Sequence, residues 1–154
     1  MKNIAVFPGS FDPLTVGHKS IVDRALNMFD EIIIAIGYNS EKNGFFPLKK
    51  RIEWIKQTFD GESKITVTTY KGLTVDFCKA NKANFILRGL RTSEDFEYER
   101  AIAQMNKKLL PETETIFLLT SPEHTPISST IVREIYKHGG NVNEFVPEGI
   151  ILRE

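Results

Sequence analysis

Ile4-Ala5-Val6-Phe7-Pro8-Gly9-Ser10-Phe11-Asp12-Pro13-Leu14-Thr15-Val16-Gly17-His18 is the stretch that decides how this chain folds. The first four residues form a short apolar run that reads as a strand. Residues 8–16 are punctuated by Gly and Pro and read as a loop, and a helical pattern starts near Gly17. A strand emptying through such a loop into a helix N-terminus is where open α/β sheets place their ligands. The exposed N–H groups and the helix dipole there favour an anion, most often a phosphate. His18, on the first turn of that helix, would point a donor at the bound group.

Outward from this stretch, strand-like and helix-like segments alternate. The first helix continues through Val22, Leu26 and Phe29, and Ile32-Ile33-Ile34-Ala35-Ile36 is the continuous apolar run of a strand covered on both faces. A polar loop over 37–47 leads to a helix with Leu48, Ile52, Ile55 and Phe59 on one stripe. Ile65, Val67 and Thr69 alternate as a third strand, a shorter helix covers about Leu73–Lys82, and Phe85-Ile86-Leu87 is a fourth strand ending at Arg88-Gly89. Thr92 can cap the next helix, whose stripe is Tyr98, Ile102, Met105 and Leu109. Ile116-Phe117-Leu118-Leu119 is the fifth strand, and a last helix runs from near Ser128 to His138 before Gly139-Gly140. The expectation is an α/β fold: a single Rossmann-like domain spanning 1–154, with a five-stranded parallel sheet and helices on both faces. The irregular stretches 8–16, 37–47 and 120–127 all follow strands, so they should converge on one site.

The composition narrows the classes of function. Hydrophobic residues make up 41% and charged residues 26% of 154 residues, which is globular. Twenty Lys+Arg balance twenty Asp+Glu, so no global field steers the chain to nucleic acid or a membrane surface, and a phosphate site must be local. The single cysteine, Cys78, fits a reducing compartment. No apolar run approaches the roughly 20 residues of a membrane span. The opening Met1-Lys2-Asn3-Ile4 enters a strand pattern directly, without a signal-peptide pattern. A cytoplasmic location is expected, with no membrane and no nucleic-acid partner.

The usual nucleotide fingerprints are missing: there is no G-x-G-x-x-G after the first strand and no G-x-x-x-x-G-K-[ST]. Thr15-Val16-Gly17-His18 offers another phosphate device, in which Gly17 lets backbone approach the ligand. Ile127-Ser128-Ser129-Thr130 brings three hydroxyls to a helix start, more than one cap needs, with Arg133 a turn further on. Arg88-Gly89-Leu90-Arg91 reads either as a turn for bidentate phosphate recognition or as surface arginines paired with Glu94, Asp95 or Glu99. Lys49, Lys50 and Arg51 read as a solvated face, Cys78 as a packed residue, and His124 as a residue that can line the site. No His/Cys/Asp cluster has metal-ligand spacing.

Taken together, these motifs resemble the nucleotidyltransferase superfamily with its H/T-x-G-H signature and later I-S-S-T-type motif. Within it the chain looks like the bacterial phosphopantetheine adenylyltransferases, over about residues 3–148. The resemblance rests on residues 8–18, Arg88-Gly89-Leu90-Arg91, Asp95-Phe96-Glu97-Tyr98-Glu99, Met105-Asn106 and Ile127-Ser128-Ser129-Thr130. It implies transfer of AMP from ATP to 4′-phosphopantetheine, giving dephospho-coenzyme A and pyrophosphate. It implies that Ser10 and Phe11 contact ATP, with Ser10 also reaching the acceptor phosphate. His18 would stabilise the transition state, Lys42 would touch the acceptor and the reacting phosphate, and Arg88 would bind the acceptor. Gly89, Leu90, Arg91 and Glu99 would hold the nucleotide, as would His124, Thr125, Pro126, Ile127, Ser128, Ser129 and Thr130. Thr74 would meet the pantetheine arm, with Glu134 near it. A homohexamer is implied as well. This chain departs from the common pattern in Ser10 for threonine, Thr74 for an apolar residue, His124, and Lys49-Lys50 for an acidic pair.

The chemistry agrees with this resemblance. A phosphate monoester with a second pKa near 6 is largely dianionic at neutral pH, so the nucleophile needs no general base. The difficulty is to bring two anions together, which positioning and charge stabilisation solve. His18, Lys42, Arg88, Arg91 and two helix N-termini would supply them, with Mg²⁺ held mainly by ATP phosphates and water.

Overall fold

A computed structural model describes residues 1–39 and 44–153. Its strands are β1 (Ile4–Gly9), β2 (Glu31–Gly37), β3 (Ile65–Tyr70), β4 (Phe85–Leu90) and β5 (Glu114–Leu119). Its helices are α1 (Val16–Ala25), α2 (Leu48–Thr58), α3 (Thr74–Ala80), α4 (Ser93–Leu109) and α5 (Ser129–Lys137). The strands form one sheet in the order β3-β2-β1-β4-β5, every pair parallel, as the alternation of elements predicts. The direction of strand succession reverses between β1 and β4, so the carboxyl ends of these two strands flank the crevice where such sheets bind ligands.

The apolar runs are covered on both faces. Ala5, Phe7, Ile32, Ile34, Ile36 and Leu87 join the larger core, together with Val22 of α1, Ile55 of α2 and Val132 of α5. Val6, Ile33, Ala35 and Ile86 face a smaller core completed by Cys78 of α3. Ile32, Ile34 and Ile36 are fully buried, each worth roughly 1.5–3 kcal/mol of transfer free energy. Cys78 is a buried packing residue, and burial raises its thiol pKa to about 11. The expected α2 stripe also holds: Ile55 and Phe59 are buried, and Leu48 and Ile52 pack against the core.

Three expectations need correction. Arg88-Gly89-Leu90 is not a turn after β4 but its last half, pairing in register with Phe117, Leu118 and Leu119; the parallel ladder overrides the turn signal of Gly89. The α4 stripe of Tyr98, Ile102, Met105 and Leu109 is exposed rather than packed on the sheet. The inward stripe lies one position further round: Glu99 is buried, while Ala103, Asn106 and Leu110 are half-buried. The helix turns a carboxylate inward because Arg88 on β4 pairs with Glu99. Finally, Arg51 does not belong to a solvated face with the exposed Lys49 and Lys50. It is 5% exposed and bonded to main-chain carbonyls.

Candidate active site

The main cleft, of about 430 Å³, lies at the β1/β4 crevice. Its walls come from residues 7–11 at the end of β1, from Thr15, Gly17 and His18 at the start of α1, and from Arg88, Gly89 and Arg91. Glu94, Asp95, Tyr98 and Glu99 of α4 and Ile127, Ser128 and Ser129 at the start of α5 complete it. Two of the three irregular stretches thus meet at one place. A second cleft of about 220 Å³ adjoins it and shares Pro8, Gly9, Arg88, Tyr98 and Glu99. Its other lining residues include Tyr70, Thr74, Ile102, Ala103 and Asn106.

His18 is fixed by its own helix terminus. Thr15 is the N-cap, and its hydroxyl accepts from the His18 N–H at 3.3 Å. The Thr15 N–H in turn donates to His18 Nδ1 at 3.0 Å, so the histidine takes the place that Glu or Gln holds in a capping box. A ring nitrogen that accepts carries no proton, so the neutral imidazole holds its hydrogen on Nε2. Burial, reinforced by the charges of Arg88 and Arg91, lowers the imidazole pKa from 6.5 to about 4. At neutral pH His18 is therefore an uncharged donor. Its ring stands edge-to-face on Phe11 at 5.1 Å. Phe11 itself has a φ of 46°, in the left-handed region that phenylalanine rarely enters. At Gly17 a Cβ would come only to 3.5 Å from Thr15 Oγ1 and 3.8 Å from His124 Cβ, ordinary contact distances. Neighbouring protein atoms therefore do not demand glycine there.

The opposite wall carries the arginines. Arg88 Nε and Nη2 donate to the two Glu99 oxygens at 3.0 and 2.7 Å, and Nη1 donates to the Pro8 carbonyl. Of its five N–H groups, these bonds use three, one from each nitrogen. Arg91 pairs with Asp95 at 3.4 Å, and its N–H donates to the same carboxylate. The surface-pairing alternative thus describes part of what both arginines do, while both still line the cleft.

The hydroxyls that open α5 divide their tasks. Ser128 caps the helix, accepting from the Ile131 N–H at 3.2 Å. Ser129 Oγ donates to the Pro13 carbonyl at 2.8 Å, and Thr130 Oγ1 accepts from Arg133 at 3.3 Å. A helix cannot satisfy its first-turn N–H groups internally, and those that Ser128 does not take are the part of this turn suited to an anion. His124 sits on a single 3-10 turn, and its buried Nδ1 is unpartnered among the described residues.

Several expected residues stand elsewhere. Leu90 is buried, and His124, Thr125, Pro126 and Thr130 flank the lining residues without lining either cleft. Thr74 lines only the second cleft, its hydroxyl bonded to Tyr70 at 2.9 Å. Glu134 is exposed on α5 and pairs with His138 at 3.0 Å, away from both clefts. Lys42 lies outside the described residues. The residues that sequence reasoning missed are Asp12 and Arg51. The acid at position 12 stood inside the quoted motif, but nothing in a linear reading tells that it meets residues 45–51.

A cytidylyltransferase-like family model matches residues 6–135. A phosphopantetheine adenylyltransferase from Christiangramia forsetii is 56% identical over 144 residues, 94% of this chain and 95% of that one. Another, from Leptospira biflexa, is 52% identical over 96% of this chain and 92% of its own. The chain belongs to the phosphopantetheine adenylyltransferase family. Distant structures share the fold alone: a bifunctional NMN adenylyltransferase/ADP ribose pyrophosphatase from Francisella tularensis superposes with a TM-score of 0.72 at 18% identity. That likeness covers 95% of this chain and 45% of the larger protein.

Proposed function

We propose that the two adjoining clefts hold the two substrates of the family's reaction and that Arg88, at their border, sets the point of transfer. As a member of the family, the chain is an enzyme that transfers AMP from ATP to 4′-phosphopantetheine, forming dephospho-coenzyme A and pyrophosphate. The observation that carries the assignment of clefts is the shared wall of Pro8, Gly9 and Arg88. An acceptor with its arm beside Thr74 and Tyr70 in the second cleft brings its phosphate to Arg88. ATP then fills the main cleft, with its phosphates at His18, Arg91 and the α5 N-terminus and its base beside His124 and Ile127.

The acceptor phosphate is the nucleophile. One of its oxygens forms a bond to the α-phosphorus as the bond from that phosphorus to the β-bridging oxygen breaks, releasing pyrophosphate. A dianionic phosphate needs no base, so no proton has to move. The His18 Nε2–H donates to a phosphoryl oxygen as charge builds there, and its neutrality suits a hydrogen-bond donor rather than an acid. The spare N–H groups of Arg88 hold the acceptor, and Ser10, exposed at the end of β1, reaches both phosphates. Gly17, free of steric demand from the protein, leaves room for close approach of a phosphate. By family resemblance, Lys42 neutralises the acceptor and the reacting phosphate, Gly89 forms the backbone wall against the nucleotide with the buried Leu90 behind it, and Glu134 meets the arm only where it extends beyond the two clefts. Glu99 acts by orienting Arg88. Thr125, Pro126 and Thr130 shape the segment around Ser128 and Ser129.

Mg²⁺ enters with ATP as part of the substrate. Asp95 and Glu99 on the cleft wall are engaged by Arg91 and Arg88, which leaves the ion to ATP phosphates and water in this reading. When bound, it neutralises charge on the leaving pyrophosphate. The exposed α4 stripe supports assembly of a homohexamer, checked by the mass in solution. Among the described residues no helix is long and apolar enough to cross a membrane. The continuous sheet supports a single domain over 1–154, and the reaction class suits the cytoplasm.

Pyrophosphate release tests the assignment, with ATP or CTP offered against 4′-phosphopantetheine, nicotinamide mononucleotide and glycerol phosphate. Turnover only with ATP and 4′-phosphopantetheine is expected. Turnover with another pair would overturn the acceptor assignment, and ATP binding without turnover would overturn the catalytic one.

A further inference from the structure

Asp12 and Arg51 are charged, buried and outside the lining of either cleft, at 6% and 5% exposure. Their closest approach, Arg51 Nε to Asp12 Oδ1, is 3.9 Å, at the outer limit of an ion pair. Each spends its strong bonds on main chain instead. The Asp12 carboxylate accepts from the N–H groups of Phe45 at 2.7 Å and Phe46 at 2.8 Å. Arg51 donates to the Phe46 carbonyl at 3.0 Å and to the Ser10 carbonyl at 2.9 Å. From the other side Arg133 donates to the Asp12 carbonyl at 2.7 Å. A Cβ on Gly44 would stand 2.8 Å from both Asp12 Oδ2 and Arg51 Nη2, so the third segment closes on the pair without room for a side chain.

From this geometry we propose that Asp12 and Arg51 are positioning residues. They act as one staple that fixes the backbone of residues 10–12 and, through it, the placement of Ser10 and Phe11 against His18. The inference rests on the function proposed above for the cleft. Its physical ground is that a buried ion pair contributes little net stability compared with apolar residues of the same volume. What this pair supplies is geometry. It defines the carbonyl of Ser10 and the peptides of two other residues, in a loop that must also hold Phe11 at a positive φ.

Four variants separate positioning from stability. Asp12→Asn keeps the shape but turns an amide N–H₂ toward a backbone donor. Arg51→Lys keeps the charge but loses the fork. Gly44→Ala forces the pair apart without touching either charge. In each, kcat is expected to fall about 10- to 100-fold, as small misplacements of reacting groups do, with both KM values within about threefold of wild type. Hydrogen exchange of the Phe45 and Phe46 amides should quicken at least tenfold in Asp12→Asn, a readout that does not depend on the reaction. The double variant Asp12→Asn/Arg51→Met removes both charges; it should recover the wild-type melting temperature while kcat stays low. A folded Asp12→Asn with wild-type kcat overturns the proposal. So does a double variant that regains stability and rate together. Should Asp12→Asn fail to fold, Arg51→Lys and Gly44→Ala decide by the same split between kcat and KM. If wild-type protein turned over a different acceptor, the function would be misassigned, yet the amide exchange would still report on the staple.

Discussion

The two walls of the main cleft are built on different physics. The β1–α1 wall is held by side-chain donors on main-chain carbonyls: the buried Arg51 on the Ser10 carbonyl, and the half-buried Arg133 and Ser129 on the Asp12 and Pro13 carbonyls. The β4–α4 wall is held by ion pairs whose arginines keep 30% and 35% of their side chains exposed. The buried Arg51 leaves one arrangement, because any other strands its guanidinium away from water. Arginines that keep about a third of their side chains exposed still have N–H groups to offer, so an arriving phosphate can share them with the carboxylates. One wall therefore presents a fixed donor, and the other a pair of cations able to take a second partner.

Removing the fixed donor should have the largest effect. His18→Ala takes away one positioned N–H, which typically costs about 10²–10³ in rate. Steady-state kinetics should show that loss in kcat, with the KM for ATP changed far less. A variant with unchanged kcat would show that the rigid wall carries no transition-state contact through His18.

The same residue makes the rigid wall sensitive to acid. His18 is held with a pKa of about 4 in the folded chain, against 6.5 unfolded. The unfolded state thus takes up a proton first as the pH falls. Stability is unaffected by His18 above pH 6.5, declines between 6.5 and 4, and levels off below, for a total of about 3 kcal/mol. Urea titrations across that range should show the decline in wild type. His18→Gln, which keeps a capping-box residue at the same helix position, should flatten it. The activity profile should behave differently: kcat/KM for the acceptor should fall below about pH 6 with the second ionisation of its phosphate, not with His18.

On the arginine wall, Arg88→Ala should raise the acceptor KM about tenfold or more, the range of a charge-assisted hydrogen bond. It also strands Glu99, which is 9% exposed, so the melting temperature should drop. Adding Glu99→Gln should restore the melting temperature and leave the KM raised. Recovery of both would mean that Arg88 serves the fold alone.

These walls were not equally legible in the sequence. Continuous apolar runs such as residues 32–36 and the regular succession of elements specify the sheet, because burial on both faces leaves no polar alternation to misread. The β1–α1 stretch shows its strand, loop and capped helix through local signals alone: Gly and Pro in the loop, Thr15 at a cap and His18 three residues on. The staple beneath it is invisible, since Asp12 and Arg51 lie far apart in sequence and Arg51 sits among lysines that are exposed. The α4 stripe misleads for the opposite reason. Its apolar spacing is real, but the inward face is set by Glu99 answering Arg88, an ion pair between a helix and a strand that periodicity cannot register.

The smallest effect compares the caps at the two walls. Ser128 caps α5 and Thr92 caps α4, each accepting one N–H at 3.2 Å. Either residue replaced by alanine should cost about 1 kcal/mol, which at this chain length is a shift of about 2–4 °C in melting temperature. Their kinetic consequences should part. Ser128 lines the main cleft and Thr92 does not, so Ser128→Ala frays a turn of the cleft proposed to hold ATP and should raise the KM for ATP by a few-fold. Thr92→Ala loosens the turn that carries Asp95 but leaves Arg88 paired with Glu99 further along α4, so it should move that KM less than Ser128→Ala. Equal KM shifts in the two variants would mean that both walls transmit helix fraying to ATP, and the distinction between the two walls would fail.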